Sequence, residues 1–154
     1  MKEVLTIGFV ATAISPYFSE EQQVRIKSEN HLKKIIAEYD AKLICFHKTI
    51  FSKEDSVEAE KFFKNKIDFL ILQTSSCSSG EQLYPLCNIT NKMGLWAVPD
   101  LEKEGDVKLH SLVSVSHYLG IIKKILHEKK IKTKWFYNYG DTDEFKNKFL
   151  ITLR

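Results

Sequence analysis

The sequence predicts an α/β fold: a doubly wound, five-stranded parallel sheet with helices on both faces. Two observations carry the prediction. Short apolar runs alternate along the chain with segments of helical spacing, and each run is continuously apolar rather than alternating, as a strand buried on both faces requires. Length bounds the answer, because 154 residues fit one domain spanning 1–154, enough for one hydrophobic core. No internal repeat, linker or low-complexity tract interrupts the pattern.

VLTIGFVAT, from Val4 to Thr12, is the first strand. Its amino-terminal position raises the question of a signal peptide, but Thr6, Gly8 and Thr12 interrupt the apolar stretch and Pro-Tyr-Phe follows it, a poor cleavage site. Ser19 with Gln22 three residues later has the spacing of a capping box and opens the first helix. Val24, Leu32, Ile35, Ile36 and Tyr39 fall on one face of it. AKLICFHKTI supplies the second strand, and Ser52 begins a helix through Val57, Phe62 and Phe63.

IDFLILQ is the third strand, followed by the loop TSSCSSG and a weak helix from about Glu81 to Asn91. Pro85 within that helix predicts a late start or a kink. GLWAVPD is the fourth strand, stopped by Pro99; LVSVSHYLGIIKKILHEK is a long helix, and KTKWFYNYG the fifth strand. Gly140 then leads into an acidic helix start, DTDEF. Five such units predict a flavodoxin-like or Rossmann-like arrangement with strand order 2-1-3-4-5.

The last helix is still apolar at Arg154, without a glycine cap or polar tail. That end suggests a shortened chain or the first domain of a longer architecture. Phe149, Leu150 and Leu153 are expected to present an apolar stripe to a following domain or another chain.

Composition narrows the function classes. Hydrophobic residues make up 44% and charged residues 28%, a globular mixture, and no run approaches the roughly 20 apolar residues of a spanning helix. The net charge of +3 comes from dispersed lysines with one cluster, HEKKIKTKW. This reads as a solvated helix end, so neither a nucleic-acid nor a membrane partner is expected. Cys45, Cys77 and Cys87 are odd in number and form no CxxC pair, which supports neither a disulfide framework nor a zinc knuckle and points to a reducing cytoplasm.

In a doubly wound sheet, ligands sit beyond the carboxyl ends of the strands. The loop after the first strand, ATAISPYFS, has no glycine and matches neither GxGxxG nor GxxxxGK[ST], so a dinucleotide fingerprint and a P-loop are both disfavoured. FMN stays open, because hydroxyl-rich loops can hold its phosphate. TSSCSSG raises three readings: a phosphate cradle, a nucleophile loop or a turn. No arginine follows Cys77 within reach, where a phosphatase-like loop would need one, and a base to activate the thiol is not evident. The polar turn is favoured, with its serines as neutral partners for a polyol.

No autonomous metal site is expected. His110 and His117 lie seven residues apart without a local carboxylate, unlike the close spacing of helical metal ligands. His31, His47 and His127 read as surface or helix-end residues, and Asp141, Asp143 and Glu144 as capping groups rather than an acid-base set.

Taken together, MKEVLTIGFV, DFLILQTSS, MGLWAVPD, KLHSLVSVSHYLGIIKKI and KWFYNYGD resemble the amino-terminal domain of the L-fucose and L-arabinose isomerase superfamily. The resemblance runs over nearly the whole chain and rests on the order and spacing of these stretches. It implies a flavodoxin-like first domain of a metal-dependent aldose-ketose isomerase, whose metal, typically manganese (Mn2+), is held by carboxylates and a histidine of later domains. The first domain then walls the substrate pocket, commonly that of a neighbouring subunit in a homo-oligomer. By position, Thr12, Ser15, Ser75, Ser76, His110 and Ser111 match those substrate-binding wall segments. Relatives often carry asparagine where this chain has His110, a departure that bears on sugar specificity. The expectation is a domain that encloses an aldose or ketose and joins subunits, with no catalytic residues, cofactor or complete metal site of its own. The alternatives are a free-standing flavodoxin-like domain for a sugar or FMN, and a non-catalytic interaction subunit.

Overall fold

A computed structural model describes residues 4–14, 19–100 and 110–154, with the side chains of the first helix described from residue 23 onward. Ser15 and the side chains of the expected Ser19 and Gln22 capping box lie outside the described residues. The elements run β1 (Leu5–Thr12), α1 (Ser19–Ala37), β2 (Ala41–Cys45), α2 (Lys53–Phe63), β3 (Phe69–Thr74), α3 (Gly80–Leu86), β4 (Lys92–Ala97), α4 (Ser111–Lys124), β5 (Lys132–Tyr137) and α5 (Asp143–Thr152). All strand pairs are parallel, in the order β2-β1-β3-β4-β5, the flavodoxin-like order expected from the sequence.

Parallel strands leave two faces to cover, and the helices divide between them. On one face α1 and α5 pack Val24, Leu32, Ile35, Ile36, Phe145 and Phe149 against Ile7, Phe9, Ile71, Trp96 and Phe136. On the other, α2, α3 and α4 pack Phe63, Leu83, Leu86, Val115, Tyr118 and Ile122 against Val10, Leu70, Leu72 and Leu95. The central strand β3 is buried at all of its residues, as its continuous apolar run demands. Gly94 is glycine because of the aromatic rings beside it: a Cβ there would stand 2.8 Å from Phe136 and 2.9 Å from Phe69.

Two expectations are corrected. The helix containing Pro85 begins early rather than late, at Gly80, and stops at Leu86 instead of continuing to Asn91. Gln82 explains the early start, since its side-chain oxygen accepts the Ser79 amide at 3.0 Å, the reciprocal half of a capping box. Pro85 falls in the last turn, where it has no amide to donate four residues back and so marks the helix end, and the Asn88 and Ile89 amides close that end by donating three residues back, to Pro85 and Leu86.

The second correction concerns α5. Phe149 is fully buried rather than presented outward; it stacks on Phe145 at 5.7 Å and meets the edge of Phe136 at 5.9 Å. Leu150 and Leu153 pack partly against the same cluster. The stripe covers the chain's own sheet, because α5 folds back over β5 on the α1 side. Tyr39 donates to the Leu153 carbonyl at 3.4 Å and fastens the helix end. Among the described residues, no helix is long and apolar enough to cross a membrane.

Candidate functional site

The strand order reverses between β1 and β3: the chain leaves β1 toward β2 on one side, then crosses to β3 on the other. Loops at the carboxyl ends of those strands diverge there, which makes the edge holding Thr12, Thr74 and the following serines the position a ligand would take in this fold. β1 ends firmly, because the Ala13 amide donates to the Ile50 carbonyl at 2.9 Å and the Ser75 amide to the Thr12 carbonyl at 2.9 Å.

The hydroxyls at this edge are buried and engaged with one another. Thr12 Oγ1 and Ser78 Oγ are 2.9 Å apart. Thr74 donates to the Ser111 carbonyl at 2.7 Å, while the Ser111 hydroxyl donates to the Thr74 carbonyl and accepts the Val98 amide at 3.0 Å. Ser114 Oγ accepts the Ser78 amide at 2.7 Å. Ser75 donates to Gln73 Oε1 at 3.0 Å, and the Gln73 amide donates to Ser28 on α1. Ser76 donates to the Cys77 carbonyl at 3.2 Å and accepts the Ile14 amide at 3.4 Å. A buried polar group without a partner costs free energy, so this pairing is what lets so many hydroxyls sit in the interior.

Of the residues expected to face a ligand, Thr12, Ser75, Ser76 and Ser111 therefore lie at one end of the sheet, with their hydroxyls turned into the fold. His110 is exposed, at the N-cap of α4 with φ 55°, and its amide donates to Asp100 Oδ1 at 2.9 Å. His117, also exposed, lies further along α4. What the edge turns outward near the switch point includes Ile14, 55% exposed, and the half-buried Cys77.

Sequence reasoning missed Gln73, Gln82, Ser114 and Tyr118, which complete this network together with Ser78 of the loop. Gln82 Nε2 donates to the Ala13 carbonyl at 2.7 Å and ties α3 to the end of β1. Tyr118 donates to the Ser79 carbonyl at 3.1 Å; burial pushes its phenol up to about 12, so it stays a neutral donor. Two signals were present. Gln73 is a polar interruption in a strand that is otherwise apolar, and Ser111 with Ser114 has the three-residue spacing that aligns side chains on one helix face.

The chemistry of the edge follows from these partners. Among the described residues, no serine, threonine or cysteine of the network is hydrogen-bonded to a histidine, the pairing that covalent catalysis uses to activate a nucleophile. Among the described residues no three His, Cys, Asp or Glu side chains converge as a metal site would require. Among the described residues, the hydroxyls of Thr12, Thr74, Ser75, Ser76, Ser78 and Ser111 are committed to internal partners. The acidic cluster before α5 divides: Thr142 is the cap, its Oγ1 accepting the Phe145 amide at 3.3 Å, while Asp143 and Glu144 occupy the first turn. No protein-family model matches the chain, and no curated protein matches it.

Proposed function

We propose that this chain is a sugar-facing α/β domain of the fucose and arabinose isomerase kind. It encloses an aldose or ketose and takes part in subunit association in the cytoplasm, without completing a metal site of its own. The observation that carries the reading is the make-up of the switch-point edge: its interior groups are the neutral hydroxyls and amides of Thr12, Gln73, Thr74, Ser75, Ser76, Ser78, Gln82 and Ser111. A polyol is recognised by precisely placed neutral donors and acceptors on a rigid support rather than by a strong charge. Here the buried hydroxyls supply the rigid support. The sequence resemblance supports the same reading from the other side.

The test is to incubate the full chain with Mn2+ and L-fucose or L-arabinose. Saturation transfer from protein to sugar without accumulation of the ketose supports the proposal; ketose formation at an enzyme-like rate overturns its non-catalytic half. A second reading, an FMN carrier, draws on the strand order alone, and purified protein with a flavin absorption spectrum would establish it.

A further inference from the structure

A pocket of about 300 Å3 opens between α1 and the loop that joins β5 to α5, at the lower end of the roughly 300–1,000 Å3 range of small-molecule sites. Gln23, Lys27, Ser28 and His31 of α1 form one wall, and Tyr139 and Asp141 of the loop form the other. The pocket lies on the α1 face, and the lining residues named are not among those that the resemblance assigns.

The two walls are built to stay in place. Gly140 lets the loop approach α1 closely, since a Cβ there would stand 2.7 Å from His31 Cβ. Tyr139 donates to the Pro99 carbonyl at 2.9 Å, and Thr142 donates to the Tyr139 carbonyl at 2.8 Å. Asn138 is held at φ 146°, where its carbonyl accepts Trp96 Nε1 at 2.8 Å and its side chain accepts the Tyr139 amide at 3.0 Å. A residue other than glycine in such a conformation persists only where its surroundings over-determine it, and such residues cluster at ligand sites. Ser28, 4% exposed, is reached from below by the Gln73 amide, so the pocket wall joins the switch-point network through Gln73 and Ser75.

The lining selects the ligand class. Lys27 stands on one wall and Asp141 on the other, and neither is ion-paired among the described residues. An anion drawn to Lys27 would meet the Asp141 carboxylate, and a cation drawn to Asp141 would meet the Lys27 ammonium. A ligand without net charge avoids both conflicts. Donors on Gln23, Lys27 and Ser28 and acceptors on Gln23 and Asp141 can each pair with a hydroxyl, while Val24 and the Tyr139 ring offer an apolar wall. We propose that this pocket seats a neutral polyhydroxylated molecule of monosaccharide size. The inference rests on the sugar-facing reading: the strand-end hydroxyls are the support, and the sugar's seat is beside α1 and the loop that joins β5 to α5.

The test is chemical-shift mapping of the full, 15N-labelled chain with L-fucose and L-arabinose, and with glycine and inorganic phosphate as zwitterionic and anionic probes. The expected result is sugar-induced shifts confined to residues 23–31 and 138–141. Asp141→Asn and Lys27→Met, both at exposed positions, should each weaken the effect about tenfold, as loss of a charge-assisted hydrogen bond predicts. The unliganded spectra of both variants should match the parent elsewhere. Shifts centred on residues 12–14, 75–78 and 110 would overturn the pocket assignment and leave the sugar-facing reading standing. Tighter binding of phosphate or glycine would overturn the ligand class, and no shift with any sugar would overturn both.

Discussion

Thr74 and Ser111 hold each other twice: the Thr74 hydroxyl donates to the Ser111 carbonyl at 2.7 Å, and the Ser111 hydroxyl donates to the Thr74 carbonyl. The pair joins the end of the central strand to the first turn of α4, so the candidate edge is fixed by the side chains that a sequence reading would offer to a ligand. Ser111→Ala removes the acceptor of the buried Val98 amide and should destabilise the fold by about 1–3 kcal/mol. Urea unfolding should show a lower midpoint with an unchanged slope.

Gln82 bridges the Ala13 carbonyl and the Ser79 amide with the two ends of one side-chain amide. Gln82→Leu keeps the approximate volume, leaves the Ala13 carbonyl unpaired in the interior and takes the cap from the amide of the exposed Ser79, a loss of about 1–3 kcal/mol. Thermal unfolding is the check, and the midpoint of Gln82→Leu should lie below that of the parent.

The three thiols should separate by reactivity. Burial pushes Cys45 and Cys87 up to about 12, so almost no thiolate forms at either near pH 8, and the thiolate is the reactive species. Cys77 sits half-buried in the loop after β3. Titration of the native protein with a disulfide reagent should give one fast thiol, lost in Cys77→Ser, and the remaining two only after denaturation.

Asp55 sets part of the acid stability. Partial burial raises its carboxyl, but hydrogen bonds from Lys48 and from the Phe51 amide outweigh that and hold it below its ordinary value. The unfolded chain, titrating near about pH 3.9, then binds the proton first. The contribution is present above that value and is lost as pH falls through the lower folded value. Asp55→Asn should therefore be less stable than the parent near about pH 6, with the gap narrowing toward about pH 3, read as the difference in urea midpoint.

The strands were legible because each is a continuous apolar run bounded by polar punctuation, and β3 is the clearest case. The strand order followed from five repeated βα units. Directions of side chains were not legible. Thr12 meets Ser78 across 66 positions and Thr74 meets Ser111 across 37, so residue type at a strand end says nothing about whether its hydroxyl turns inward. The same holds for α5, where helical spacing groups Phe149, Leu150 and Leu153 on one side but cannot say that β5 lies beneath it. For α3, the Ser79 and Gln82 spacing that opens the helix is present in the sequence, and Pro85 marks its end rather than a late start.

The most direct measurement is saturation-transfer NMR of L-fucose and L-arabinose with the full chain, followed by an assay for ketose after addition of Mn2+. The account predicts transfer to at least one of the sugars and no ketose above the protein-free control. Ketose formation, or the absence of transfer to either sugar, would contradict it.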